Sequence, residues 1–469
     1  MAQLRKALPG VAAAGLSLIS ACGDDIAFKD RTPFNAPADA VAGFLGYFSV
    51  ADKQTTCGNC HADEQAAWSQ THHADAWATL QASGGAQDLC EPCHTVSQNG
   101  NALTGDVGYP AVRDQAELAA VYHDVQCESC HGPGVDHVAS PEAVQPLASI
   151  LAASTATNGC GECHSGAHHP FVEQWELSKH GSGTSFSRGS SPSCSECHSA
   201  QGALVEQFGV NAEFVEKGDA PLPLVCAVCH DPHDATNPAQ LRAPVGEPTT
   251  RNLCIKCHNR RTVPGEGSRG PHAAQGPLVL GQQVGWWPPG FEWLDGLTGT
   301  HGDATANPRL CATCHVEMFE VTDPQGGFVF QSVGHLFEAI PCLDAQGIPT
   351  TASCANSERS WGACLGCHGT AANAQAFFEG FKNELNGLLD MIWVDGNGNT
   401  IIDPSPTDAG VLPQILQVTG DQKQIDLSDT LFTAAEGILY NAQIAATHDR
   451  EHFLDGNTIV GSDTVGFSG

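Results

Sequence analysis

Basic residues are scarce in this 469-residue chain: 20 Lys and Arg stand against 52 Asp and Glu, which gives a formal net charge of −32. Proteins that bind nucleic acid need clustered cations to displace the counterions of the phosphates. The composition therefore excludes a conventional nucleic-acid-binding protein, and we expect no nucleic-acid partner.

Aromatic residues and methionine are also sparse, at 7% of the chain and three residues respectively. Hydrophobic residues reach 41%, but Ala and Cys supply much of that fraction, while 51 Gly and 28 Pro favour loops. The sequence contains neither a P-loop nor a Gly-rich dinucleotide fingerprint. These absences exclude a large conventional core and argue against a nucleotide-dependent enzyme.

Long apolar runs are absent except near the start, where residues 11–19 follow Arg5 and Lys6. That run is too short to span a bilayer, and the pattern is typical of an export signal. Residues 19–22, Ile-Ser-Ala-Cys, resemble a bacterial lipobox, which predicts cleavage of a signal peptide at 1–21 and a lipid on Cys22. We expect an exported protein anchored to the outer membrane, on its periplasmic or cell-surface face, with residues 22–56 as a tether. The alternative is an ordinary cleaved signal with an incidental Cys22.

Cysteine and histidine are unusually abundant, at 21 and 22 residues, and most of the cysteines follow one pattern. C-x-x-C-H occurs nine times, whereas chance predicts about 0.04 copies. Numbered in chain order, motifs 1 to 9 are Cys57-Cys60-His61, Cys90-Cys93-His94, Cys127-Cys130-His131, Cys160-Cys163-His164, Cys194-Cys197-His198, Cys226-Cys229-His230, Cys254-Cys257-His258, Cys311-Cys314-His315 and Cys364-Cys367-His368.

This spacing suits covalent attachment of haem, because the two thiols add to its vinyl groups and the adjacent His supplies an axial nitrogen to the iron. Zinc ribbons lack a His directly after each C-x-x-C pair, and a thioredoxin-like C-x-x-C occurs singly. A disulfide framework would not place His after every second cysteine. The sequence therefore predicts nine covalent c-type haems.

Three cysteines lie outside the motifs: Cys22, Cys342 and Cys354. In an exported chain the last two are predicted to form a disulfide, because the compartment is oxidising. Two free thiols are the alternative.

Thirteen histidines lie outside the motifs, enough to give every iron a second axial ligand. Methionine cannot fill this role generally, since only Met318 and Met391 remain after signal cleavage. Bis-His iron lies toward low potential and transfers electrons rather than binding small molecules. The predicted distal ligands are His73, His137, His169, His180, His233, His272, His301, His335 and His448. His123 and His452 are reserves, and His72 and His168 are expected to be unused members of His-His pairs.

Motif spacing predicts an internal duplication, because motifs 4 to 6 follow motifs 1 to 3 at offsets of about 100 residues. Both triplets open with a motif leading to Trp-x-x-Ser/Thr-x-His, at Trp68 and Trp175. We expect a seven-haem region at 57–258, containing three-haem modules at 57–159 and 160–253. A two-haem region at 259–368 and a haem-free, mainly helical tail at 369–469 follow.

The predicted fold is mainly irregular with short α-helices, closely packed haems and little or no β-sheet. Residues 62–80 form the clearest helical pattern near the motifs. In the tail, residues 371–394 and 426–447 have amphipathic patterns. The segment 395–403 is interpreted as a polar turn rather than a calcium loop, because it lacks the full acidic spacing and the terminal Glu.

The chain resembles the bacterial multihaem c-type cytochromes of dissimilatory and extracellular electron transfer. The likeness covers residues 57–368 and is carried by the motifs and their flanks at 125–134, 160–170, 225–233 and 253–261. It implies stacked haems that form a conduit between redox partners. Those partners would be other cytochromes, including an outer-membrane porin–cytochrome complex or further copies in a filament.

Two functions follow from these features. The first is electron transfer along nine mostly bis-His haems between periplasmic, outer-membrane or extracellular partners, without catalysis by the chain itself. The alternative is a terminal oxidoreductase that reduces a nitrogen or sulfur oxyanion, or a metal ion, at one five-coordinate haem. Related enzymes often mark that haem with C-x-x-C-K, which does not occur here.

Overall fold

The computed structural model describes residues 40–147, 150–151, 159–182, 188–215, 220–265, 271–294, 296–399, 401–420 and 433–445. The predicted signal peptide, Cys22, most of the tether, His448 and His452 lie outside these ranges. None of the helices within them combines the length and hydrophobicity needed to cross a bilayer.

Short helices joined by irregular loops make up most of the described chain. The α-helices are α1 (Ala62–Trp68), α2 (Ala76–Ala82), α3 (Tyr109–Val112), α4 (Ala116–Val121), α5 (Cys127–His131), α6 (Val135–Ala139), α7 (Phe171–Leu177), α8 (Pro192–His198), α9 (Ala200–Gly202), α10 (Cys226–Cys229), α11 (Gln275–Val279), α12 (Cys311–His315), α13 (Leu365–His368), α14 (Ala371–Ile392), α15 (Val411–Thr419) and α16 (Ala434–Ala445). Single 3₁₀ turns cover Cys57–Asn59, His72–Asp75, Asp88–Cys93, Cys160–Glu162, Pro238–Gln240, Thr300–Gly302, Asn356–Glu358 and Gly362–Cys364, and a π turn covers Ala203–Gln207.

The described ranges contain few strands, and they form three two-stranded sheets. The antiparallel pairs are β1 (Tyr47–Ser49) with β2 (Gln54–Thr55), β3 (Phe319–Thr322) with β4 (Phe328–Ser332), and β5 (Cys342–Leu343) with β6 (Pro349–Thr350). The predicted fold class, short helices in a mainly irregular chain with little sheet, is confirmed. Cys342 and Cys354 form a disulfide beside the third pair, with a Cα–Cα distance of 5.8 Å.

The continuous helix predicted over residues 62–80 is wrong, because the chain leaves the helix between α1 and α2. Thr71 has an extended backbone, with φ −90° and ψ 161°. Its hydroxyl donates to the carbonyl of Trp68 at 2.8 Å, which offers the backbone an alternative to helical pairing. The chain then resumes as the 3₁₀ turn that carries His73.

The same two contacts hold His73 and His180 in the two halves of the region predicted to be duplicated. Trp68 Nε1 donates to the carbonyl of Val125 at 2.9 Å, and the N–H of Val125 donates to the carbonyl of His73 at 3.1 Å. In the second half Trp175 Nε1 donates to Leu224, at 2.8 Å, and the N–H of Leu224 donates to the carbonyl of His180 at 3.1 Å. Each acceptor residue lies two positions before a motif, so the Trp fixes its His relative to that motif.

A buried carboxylate organises the start of the described chain. Glu128, only 2% exposed, lies between the two cysteines of motif 3. It accepts hydrogen bonds from the backbone N–H groups of Leu45, Gly46 and Gly134 at 2.7–2.9 Å. Three loops are thereby joined at one side chain.

Replacing this carboxylate should cost substantial stability. Glu128→Ala leaves three buried N–H groups unpaired, and each such group costs about 1–3 kcal/mol. We therefore expect the free energy of unfolding in urea to fall by about 3 kcal/mol or more. Glu117→Ala, at an exposed position in α4, is the matched control. Equal stability of the two variants would show that Glu128 does not hold these loops.

The tail has a core of its own, built from α14, α15 and α16. Leu389 and Trp393 pack with Leu412, Leu416 and Leu439, all at most 3% exposed. The loop before motif 8 joins this core through Trp286, whose ring lies directly on Gly437, where any Cβ would clash. Of the two helices predicted for the tail, α14 closely matches 371–394. Helix α16 covers nearly all of the described part of 426–447, and residues 426–432 and 446–447 lie outside the described ranges.

Candidate haem-binding sites

Each C-x-x-C-H motif forms about one turn of helix or a tight turn. In motifs 1, 4, 6 and 7 the N–H of the His donates to the carbonyl of the first Cys at 2.9–3.0 Å. One turn advances the chain by about 3.6 residues, which brings the first Cys, the second Cys and the His to neighbouring positions. This is the local geometry that attachment to one porphyrin requires.

None of the eighteen motif cysteines forms a disulfide in the described chain. Within the described ranges, no group of three or more His, Cys, Asp or Glu side chains could hold a metal ion. The paired thiols are therefore neither committed to disulfides nor gathered into zinc sites. They remain available for thioether bonds.

Eight motif histidines each face one histidine from outside the motifs. The distances between ring centroids lie in a narrow range, 5.8–6.5 Å, and every pair joins one motif His to one other His. The pairs are His61–His137, His94–His169, His131–His233, His164–His73, His198–His272, His230–His335, His258–His180 and His368–His301.

This spacing is the one that two axial ligands of a single metal ion would have. A metal–imidazole bond is about 2 Å long, so two rings on opposite sides of one iron have centres about 6 Å apart. Direct ring packing would not select one motif His and one other His every time. The residues present therefore fit bis-His haem at these eight positions.

Backbone carbonyls orient several of these rings. The Nδ1 atoms of His94, His131, His230 and His315 lie 2.6–3.0 Å from carbonyl oxygens of Ala76, Leu147, Ala239 and Phe337. A carbonyl can only accept, so Nδ1 carries the proton and Nε2 remains free as a ligand. Two distal rings, those of His137 and His335, have equivalent carbonyl partners at 2.7 and 2.9 Å.

Burial favours the neutral form that a metal ligand needs. Burial lowers the pKa of His164 and of His180 to about 4, and neighbouring histidines contribute smaller decreases. Only neutral imidazole has a lone pair available for the iron.

Three other histidines are placed away from the motif rings. His123 stacks on Trp77 at 4.2 Å, and His168 stacks on Phe328 at the same distance. No ring contact joins His72 to a motif His in the described chain. His448, the ninth predicted distal ligand, and the reserve His452 lie outside the described residues.

One cavity of about 3580 Å³ runs through the molecule, and residues of all nine motifs line it together with the eight distal histidines. Because residues of all nine motifs line the same cavity, the haem attachment points face one continuous space rather than separate pockets. A porphyrin array would supply the apolar interior that the sequence lacks.

Contacts between cysteines of different motifs connect the attachment points. Side-chain interactions between thiols join Cys57 to Cys127, Cys93 to Cys163, Cys160 to Cys226, Cys197 to Cys257 and Cys254 to Cys311. Electrostatic interactions also join Cys130 to Cys160, Cys229 to Cys254 and Cys314 to Cys364. Together they give the spatial order of motifs 1, 3, 4, 6, 7, 8 and 9, with motif 2 beside motif 4 and motif 5 beside motif 7.

Sequence reasoning did not identify these intermotif contacts, the pairing of distal with proximal histidines, or the carbonyls that orient the rings. Carbonyl groups occur at every residue and leave no signal in a sequence. The pairings are long-range, and the predicted duplication gives only an indirect indication of them.

Comparison with known proteins finds two matching families and a similar multiheme cytochrome. Residues 56–132 match a family described as cytochrome c554 and c-prime, and residues 215–262 match one described as a doubled CXXCH motif. The chain is 24% identical over 247 residues to the multiheme cytochrome MtrA of Shewanella baltica (strain OS185). That match covers 49% of this chain and 66% of the relative, just under two thirds of the relative's length.

Two solved structures align with the chain. The outer cell wall cytochrome OcwA aligns with a TM-score of 0.48 at 17% identity, covering 86% of this chain and 98% of its own. An undecaheme cytochrome from the S-layer of Carboxydothermus ferrireducens aligns with a TM-score of 0.39 at 24% identity, covering 70% of this chain and 50% of its own.

Proposed function

Because the chain is a multihaem c-type cytochrome, we propose that it transfers electrons between redox partners along nine covalently attached haems. Bound haem iron supplies one-electron chemistry by changing between the ferrous and ferric states. The chain's own residues hold these groups, complete their ligand sets and fix their order.

The observation that carries this proposal is the one-to-one pairing of eight motif histidines with eight others at 5.8–6.5 Å. Two strong nitrogen ligands leave no position on the iron for substrate, which favours electron transfer over catalysis. Imidazole nitrogens on both sides also favour lower potentials than a His/Met pair would.

The cysteine contacts support a continuous route. A motif's cysteines mark the edge at which its porphyrin is attached, so contact between cysteines of two motifs brings two attachment edges together. The contacts link motifs 1, 3, 4, 6, 7, 8 and 9 without a gap. Motifs 2 and 5 join this line beside motifs 4 and 7.

A stoichiometric titration tests the function. Purified holoprotein should take up nine electrons per chain from a one-electron reductant and return all of them to a ferric acceptor, and its intact mass should show nine haems. A lower count in both measurements would mean that some motifs do not carry haem.

A second candidate function, reduction of an oxyanion or a metal ion by the chain itself, requires an iron with an open position. Eight motifs do not offer one, because each has two histidines. His315 of motif 8 has no second histidine opposite it among the described residues, so this candidate depends on that motif.

We propose further that the protein is exported and held at the outer membrane by a lipid on Cys22. Its partners would be other redox proteins, including a porin–cytochrome complex or further copies of the chain. The net charge of −32 would steer cationic surfaces toward it and repel anionic headgroups. The N-terminal pattern at residues 19–22 supports the anchor.

Loss of the proposed lipid site should release the protein from membranes. Cys22→Ser removes the thiol that carries the acyl chains, so we expect the haem-stained protein to move from the membrane fraction to the soluble fraction. Ser17→Ala, inside the apolar segment, is the control and should leave it in the membrane fraction. Membrane retention of Cys22→Ser would contradict lipid anchoring.

A further inference from the structure

The histidine pairs follow a rule that repeats every three motifs. The first motif of each triplet pairs with a His that lies downstream of the first motif of the preceding triplet. His164 of motif 4 pairs with His73, and His258 of motif 7 pairs with His180. The His of the third motif in each triplet pairs with a His that follows the third motif of the next triplet. His131 of motif 3 pairs with His233, just after motif 6.

Motifs 7 and 8 correspond to the first and third motifs of a third triplet, which has no middle motif. The first Cys of motif 8 contacts the first Cys of motif 7, just as Cys127 contacts Cys57 and Cys226 contacts Cys160. Its second Cys interacts with the first Cys of motif 9, as Cys130 does with Cys160. The distal His of motif 6, His335, follows motif 8, as the same rule requires.

Motif 9 would be the first motif of the next triplet. By this rule the distal His of motif 8 would follow the third motif of that triplet. First and third motifs are separated by about 60–70 residues in the earlier triplets. Residues 369–469 contain no C-x-x-C-H, and their described part includes the core formed by α14, α15 and α16. Consistently, the described histidines include none whose ring faces His315 at the spacing of the other eight pairs.

His315 is nevertheless built as a proximal ligand. It ends a helical turn with Cys311 and Cys314, and its Nδ1 lies 2.8 Å from the carbonyl oxygen of Phe337, which leaves Nε2 for the iron. Motif 8 therefore has the attachment and the oriented proximal ring that other motifs have.

We propose that the haem held by motif 8 has an exchangeable sixth position, which binds a small neutral nitrogen donor such as imidazole or hydroxylamine. The class of ligand follows from the charge, since a chain at −32 disfavours the approach of anions. This inference rests on haem attachment at motif 8, which belongs to the proposed function.

The test is a titration of oxidised holoprotein with imidazole, followed by visible and electron paramagnetic resonance spectra. We expect one iron per chain to change from high spin to low spin, and the other eight to be unaffected. In Cys311→Ala/Cys314→Ala the intact mass should fall by one haem and the imidazole response should disappear. Cys194→Ala/Cys197→Ala also loses one haem, at motif 5, but should keep the response.

Failure of this inference and failure of the proposed function give different results. Nine haems by mass, all low-spin and insensitive to imidazole, would overturn the exchangeable site and leave the conduit intact. His448→Ala or His452→Ala would then create a high-spin iron if a tail histidine is the ligand. Absence of the motif 8 haem from the wild-type intact mass would instead contradict the haem count on which both proposals rest.

Discussion

Removing the cysteines of motif 6, with Cys226→Ala/Cys229→Ala, should reduce electron transfer between the two ends of the molecule to a small fraction of the wild-type rate. The cysteine contacts connect motifs 4 and 7 through motif 6, and no contact between thiols joins them directly among the described residues. Loss of that attachment point therefore interrupts the proposed line.

The measurement is the current through a monolayer anchored at one end by Val50→Cys, an exposed position shortly before motif 1. Cys194→Ala/Cys197→Ala is the matched control, because motif 5 contacts motif 7 and lies beside the line. Both variants should lose one haem by mass. Equal currents in the two variants would contradict the proposed order.

Replacing a distal ligand should change the potential of one haem by a large amount. His233 faces His131 of motif 3 at a ring distance of 6.0 Å, and its Nδ1 lies 3.7 Å from Asp231. Methionine on the distal side raises haem potential, and axial ligands together span about 0.8 V. His233→Met should therefore raise one potential by on the order of 100 mV or more.

A potentiometric titration of the holoprotein checks this expectation. One of the nine components should move to higher potential while the others stay in place. His168→Met is the control, since His168 stacks on Phe328 and faces no motif ring. If the His233→Met titration superimposes on that of the wild type, His233 is not an axial ligand.

Composition and motif spacing were sufficient to predict the character of this fold. With 41% hydrophobic residues, few aromatics and nine C-x-x-C-H motifs, the chain lacks the material for a large core of its own. The described chain agrees with this prediction, because it consists mostly of short helices and loops and each of its sheets has two strands.

Local features were harder to predict where side chains compete with the backbone. Residues 62–80 have helical periodicity, but the hydroxyl of Thr71 caps Trp68 and breaks the helix. Helix α15 was not predicted. Its Pro413 lies in the first turn, where proline is tolerated.

Eight of the nine predicted distal histidines face a motif ring, but their pairing could not be derived from the sequence. His164 takes a partner from the preceding module, and His230 takes one from beyond motif 8. Pairing of this kind is decided by how modules stack, which depends on contacts such as Trp68 with Val125 rather than on the spacing between histidines.

Low-temperature electron paramagnetic resonance of the fully oxidised holoprotein, with spins quantified, tests the central claim most directly. Eight histidine pairs predict at least eight low-spin irons per chain, with high-spin signal from at most one. High-spin signal from two or more irons would show that the pairs seen in the structure are not axial ligand pairs.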